Sequence, residues 1–77
     1  SRPRKLGYRE QRELEALPER IEALELELEE LQKQLADPAT YRDTPDVVAG
    51  LNKRLGDAES ELAASYTRWD DLESQAR

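Results

Sequence analysis

The stretch LEALPERIEALELELEELQKQL, residues 14–35, decides the fold. Its apolar residues Leu14, Leu17, Ile21, Leu24, Leu28, Leu31 and Leu35 alternate spacings of three and four without a miss. That alternation is the a/d pattern of a coiled-coil seam, in which one narrow stripe of a helix faces a partner helix. A second run keeps the same rhythm at Val48, Leu51, Leu55, Ala58, Leu62, Ser65, Trp69, Leu72 and Ala76, with Ser65 its one polar member. Between the runs lie two prolines and several turn formers, Asp37-Pro38-Ala39-Thr40-Tyr41-Arg42-Asp43-Thr44-Pro45. The reading is all-α: an antiparallel two-helix coiled-coil hairpin, because a connection this short returns the chain beside itself. Its expected parts are a basic arm over residues 1–7, helix 1 over 8–36, a turn over 37–44 and helix 2 over 45–76. Gly7 with Glu10 three residues on, and Thr44 before Pro45, are the expected helix starts. Pro18 lies inside helix 1 while the heptad continues in phase, which predicts a kink and not an end.

The charges choose the register. Pairing Leu17 with Leu62, Ile21 with Ala58, Leu24 with Leu55, Leu28 with Leu51 and Leu31 with Val48 sets flanking g positions opposite each other. Glu13 then meets Arg68, Arg20 meets Glu61, and Glu27 meets Arg54, each pair of opposite sign. A slip of one heptad opposes Arg20 with Arg68 and Glu27 with Glu61 instead. Each exposed pair is weak, but the same side chains attract in one register and repel in the other. Tyr66 falls at an e position facing Pro18. Trp69 and Tyr8 gather at the open end, where an apolar plug closing the coil is favoured over a pair of base-stacking platforms.

Composition removes most chemistries. The chain is 36% hydrophobic and 39% charged, against about 45–50% and about 25% for globular domains. With no Cys and no His there is no thiol nucleophile, no His-based triad, no disulfide and no ordinary zinc site. No apolar run approaches the roughly 18 residues that span a bilayer, so no membrane contact is expected. The absence of Met marks the chain as a piece of a longer protein. Glu22, Glu25, Glu29 and Asp57 read as a solvated face, since a two-helix rod offers no cleft to drive two carboxyl pKa values apart. An enzyme is not expected.

What remains is a binding surface. The net charge of −6 conceals a polarity: residues 1–12 carry Arg2, Arg4, Lys5, Arg9 and Arg12 against Glu10 alone, ahead of a strongly acidic body. Antiparallel packing brings Arg68 and, more loosely, Arg77 to the same end. Arginine forks match phosphate oxygens and interleaved aromatics stack on bases. The candidate DNA-binding residues are therefore Arg2, Arg4, Lys5, Tyr8, Arg9, Arg12 and Arg68. Glu13, Asp70, Asp71 and Glu73 at this end oppose them, and a solvated tail is the plainer reading of the charge alone.

The segment RKLGYREQRELEALP, residues 4–18, closely resembles the opening of the C-terminal domain of Uup-type ABC-F ATPases, which begins with a K-L-S-Y-K-E-Q-R-E-L-E-x-L-P run. The resemblance continues through Ile21-Glu22-Ala23-Leu24-Glu25, the Ala36-Asp37-Pro38 turn with Tyr41, and Arg68-Trp69-Asp70-Asp71-Leu72-Glu73, and so covers nearly the whole chain. Gly7 departs from the family's usual serine, which leaves the first turn without a hydroxyl cap. The resemblance implies a non-catalytic module at the end of a cytoplasmic, ribosome-associated ATPase, contributing DNA binding to duplex or branched DNA. It implies ATP and Mg in the parent protein and no cofactor in this segment. Three readings follow: a DNA- or ribosomal-RNA-binding monomer, a structural arm that positions the ATPase or contacts a protein or the ribosome, and a self-associating coil.

Overall fold

The computed structural model describes residues 6–42 and 45–76. It is a rod of 59 × 16 × 16 Å made of two antiparallel helices, α1 (Tyr8–Ala36) and α2 (Pro45–Ala76), joined through a short 3-10 helix (Pro38–Arg42). There is no strand among the described residues, and the all-α hairpin expected from the heptads is the fold observed. The expected arm residues Arg2, Arg4 and Lys5, the Thr44 cap and Arg77 lie outside the described residues.

Helix α1 starts where the sequence supplies a cap. The Gly7 backbone is extended, its N–H donates to Glu10 Oε1 at 3.1 Å, and Gln11 N–H donates to the Gly7 carbonyl at 2.9 Å. This is the returning half of a capping box, the only half a glycine permits. The helix runs unbroken through Pro18. Proline cannot donate to the carbonyl of Leu14, and the flanking seam contacts on either side hold the helix together across that gap.

The far end of α1 is closed by the turn itself. The last carbonyls of a helix have no intrahelical donor. Here Asp37 N–H donates to Gln34 O at 3.2 Å, the Thr40 hydroxyl donates to the same carbonyl, and Tyr41 OH donates to Leu35 O at 2.7 Å. Asp37 then anchors the 3-10 helix, accepting from Ala39 N–H through Oδ1 at 2.9 Å and from Thr40 N–H through its carbonyl at 3.0 Å. The turn is built from hydrogen bonds more than from burial, since none of its residues is buried.

The core is the seam and nothing else. Leu17, Ile21, Leu24 and Leu31 of α1 are buried against Ala58, Ser65 and Leu72 of α2, while Leu14, Leu28, Leu51, Leu55 and Leu62 are half-buried. Ser65 meets its hydrogen-bonding need locally, donating to the Glu61 carbonyl at 2.8 Å one turn back, so this polar seam position leaves no orphaned group. The flank pairs confirm the register. Arg68 Nε and Nη2 donate to Glu13 Oε2 and Oε1 at 2.7 and 2.9 Å, and Arg54 forks onto Glu27, with Nε donating to Oε2 at 2.6 Å. The third expected pair differs: Glu61 turns to Arg54 Nη2 at 3.2 Å, and Arg20 makes no ion pair with a described residue.

Two outcomes test this account. Gly50 and Gly56 sit within α2 with open space where a Cβ would stand. Gly50→Ala and Gly56→Ala are each expected to stabilise the hairpin by about 0.5–1 kcal/mol, seen as a rise of several degrees in the melting midpoint by circular dichroism. The hydrogen bonds from Arg54 hold the Glu27 carboxyl below its ordinary value of 4.5. A carboxyl depressed on folding stabilises above its unfolded pKa and loses that contribution as pH falls through the folded value. Glu27→Gln should therefore melt below the parent at pH 7, and the two melts should converge as pH drops beneath the ordinary carboxylate range.

Candidate nucleic-acid interface

The open end of the rod is set by the start of α1 and the last two turns of α2. Heptad position decides what each side chain can do there. Leu72, at d, points into the seam and is fully buried at 0% exposure. Tyr8, at b, points away from it and is 79% exposed. The expected plug of Tyr8 and Trp69 is thus not what closes the coil; Leu72 does so, with Leu6 half-buried nearby in the fold and Trp69 still 37% exposed. The outward-facing position of Tyr8 was readable from the heptad, which puts b on the side opposite a and d.

The candidate cations divide into two kinds. Arg9 and Arg12, three residues apart on the outer side of α1, are exposed and make no ion pair with a described residue. Positions three apart on a helix are neighbours, so their guanidinium groups form one small cationic patch beside Tyr8. Arg68 is different. Its fork is occupied by both oxygens of Glu13, an interaction that raises the arginine pKa and lowers the glutamate's, with Glu10 and Asp71 adding attraction to the arginine. An arginine whose bidentate donors already hold a carboxylate has little left for a phosphate. Arg2, Arg4 and Lys5 precede Leu6, outside the described residues.

Two hollows flank the seam near this end, on opposite sides. On the g side, a hollow of about 350 Å³ is floored by Ala16, Leu17, Ala64 and Ser65. Its rim carries the Glu13–Arg68 pair, Arg20 and Glu61. Arg20 is exposed and without an ion pair to a described residue, a third free arginine that pairing rules alone assigned to Glu61. On the e side, Pro18, Ile21, Tyr66 and Trp69 line a smaller hollow. There Tyr66 OH donates to Glu25 Oε2 at 3.0 Å, which raises the phenol pKa. The two carboxyls on the rim of the g-side hollow are each engaged by an arginine, Glu13 by Arg68 and Glu61 by Arg54. Among the described residues, no group of acids is arranged to hold a metal ion, and no helix is long and apolar enough to cross a membrane.

The comparisons with known proteins agree with the resemblance read from residues 4–18. Residues 5–74 match the family described as ABC transporter C-terminal domain. The chain is similar to an "ATP-binding protein Uup-like" of Haemophilus influenzae, 44% identical over 92% of this chain and 16% of that protein. It is equally similar to an "ATP-binding protein Uup" of the same organism, 44% identical over 92% of this chain and 11% of the relative. An "ATP-binding protein Uup" of Escherichia coli is 40% identical over 91% of this chain and 11% of its own length. The chain thus spans between about a tenth and a sixth of the curated relatives it matches. No solved structure matches it.

Packing and exposure at the open end give opposite expectations for two side chains. Tyr8→Ala removes an outward-facing ring and should leave the melting transition within about 0.5 kcal/mol of the parent. Leu72→Ala empties a fully buried seam position and should cost about 2–5 kcal/mol, most of the transition of so small a core. Parallel thermal melts of the two variants decide the point.

Proposed function

This chain belongs to the ABC transporter C-terminal domain family, in its Uup-type ABC-F branch, and from that premise we propose that it is a non-catalytic DNA-binding hairpin attached to an ATPase. It binds duplex or branched DNA largely through phosphates and without strong sequence preference. The observation that supports this reading is the patch of Arg9 and Arg12 at the open end of an acidic rod, exposed beside the exposed Tyr8 and without an ion pair to a described residue. Arg2, Arg4 and Lys5 extend the same charge toward the N-terminus. ATP and Mg belong on this reading to the parent ATPase and not to this segment, and the protein works in the cytoplasm as a monomeric module. Structured RNA, ribosomal RNA included, offers the same phosphate chemistry and is the competing polyanion. Arg68 enters this proposal in a changed role: it is a neutralising partner of Glu13 more than a phosphate contact.

A second reading has its own support in the shape. A stiff rod of 59 Å by 16 Å with an acidic body suits an arm that positions an ATPase or contacts a protein or ribosome. The two readings part on salt. Binding that displaces counterions from DNA weakens linearly with the logarithm of salt, with a slope of about −0.9 per phosphate contact.

A salt-titrated assay against duplex, branched and single-stranded DNA and a structured RNA tests the proposal. The parent chain is expected to bind DNA with a slope near −3 to −5. A variant with Arg4, Lys5, Arg9 and Arg12 changed to Gln, and with helicity intact, should bind weakly with a nearly flat slope. Absence of binding at low salt, or binding untouched by the four changes, would leave the structural arm as the better account.

A further inference from the structure

Resting on the DNA-binding reading above, we infer that the duplex contacts the open-end turns of one flank of the hairpin, the g flank, where Arg20 at g is joined by Arg9 at the adjoining c position, and that the Glu13–Arg68 pair keeps this flank usable. The two sides of the seam are chemically unlike. At the e positions of the two helices stand Glu25 and, across the seam, Glu59 and Glu73, with Gln11, Pro18, Gln32, Pro45, Asn52 and Tyr66 as the other members and no cation among them. This side also holds the hollow between Pro18, Tyr66 and Trp69, and its Tyr66 hydroxyl is committed to Glu25. A duplex approaching here meets carboxylates.

The g flank has Arg20, Arg54 and Arg68 facing Glu13, Glu27 and Glu61. Arg54 holds both Glu27 and Glu61, so one cation satisfies two anions and Arg20 is released. Eleven residues separate Arg9 from Arg20. At about 100° per residue they lie within about 20° of each other around α1, and about 16 Å apart along it. That span corresponds to roughly five base pairs of duplex axis. The residue between them on the same line is Glu13, and its two oxygens are the ones covered by Arg68. Without Arg68, an uncovered carboxylate would interrupt the cationic line. With Arg68 in place, the line presents Arg9, a neutralised pair and Arg20, with Arg12 to one side. The hollow beside the pair has an apolar floor of Ala16, Leu17 and Ala64, and the acids near it are engaged by arginines: Glu61 is held by Arg54, and Glu10 and Asp71 attract Arg68.

The test combines charge variants with the single tryptophan as a reporter of the other flank. Arg20→Gln changes an exposed side chain that has no ion pair to a described residue, and it should leave helicity unchanged. It is expected to flatten the salt slope for duplex DNA by about 1 and to cost about eightfold in affinity at 0.1 M salt, the factor one contact contributes relative to 1 M. Glu13→Gln removes the anion and frees Arg68, so it should tighten binding and steepen the slope by about 1. Trp69 emission should not be quenched at saturating DNA. An Arg20→Gln variant that titrates like the parent, or strong quenching of Trp69, overturns the flank assignment while the DNA-binding reading stands. A Glu13→Gln variant with an unchanged slope overturns the masking role. If the parent fails to bind duplex DNA at low salt, the DNA-binding reading itself fails and the flank assignment falls with it.

Discussion

Everything in this molecule hangs on the register of a single seam. A heptad repeat looks nearly the same after a slip of seven residues, and with only two helices there is no third surface to object. Burial of Leu17, Ile21, Leu24, Leu31, Ala58 and Leu72 supplies the drive to pair but says little about which layer meets which. Register is set at the flanks, where Arg54 grips Glu27 and Arg68 grips Glu13, contacts that a slip would replace with like charges. It is set again at the turn, where Thr40 and Tyr41 bond to the final carbonyls of α1 and fix how much chain the connection spends. Neither device supplies much stability in water. Both make the neighbouring alignment worse.

The same devices shape the surface. A planar guanidinium has five donors and can serve two carboxylates at once. Arg54 does so, drawing Glu61 one heptad along its own helix, and the cation that would have met Glu61 across the seam is left in solvent. A register clamp in the middle of the rod thereby alters the charge of the flank two turns away. Sequence pairing rules count opposite signs one to one, and so they put Arg20 in the fold and out of the surface.

The legible parts of this protein are those governed by period. The alternation of three and four from Leu14 to Leu35 and from Val48 to Ala76 is a statement about backbone geometry, and it survives Pro18 because the phase is unbroken on either side. The two flank pairs Glu13–Arg68 and Glu27–Arg54 follow from that phase and from charge. The 3-10 turn did not follow, because Thr40 and Tyr41 act through reach: each must span six residues back to a carbonyl that only the end of a helix leaves unpaired. Tyr8 departs from the expected plug for a different reason. Hydrophobic character suggested a plug, whereas its b position leaves it facing water and gives the closing role to Leu72.

An acidic rod is an odd platform for a polyanion, and the geometry limits how the two can meet. Screening confines charge effects to about 8–10 Å at physiological salt, so the acids near the turn of a 59 Å rod neither help nor hinder at the open end. They do oppose the rod lying down along its length, since half of the outer positions of α1 beyond Arg12 are glutamate, namely Glu15, Glu19, Glu22, Glu29 and Glu30, against Lys33 as the one cation among them. On the DNA-binding reading proposed above, contact is therefore restricted to the first few turns of α1 and to the flank where Glu13 is covered. Few phosphates are engaged, affinity is modest and salt-sensitive, and the rest of the hairpin projects away from the duplex. That arrangement suits a module that supplements the grip of a larger attached protein, because a weak site tethered to a second site gains through effective concentration what it lacks in contacts.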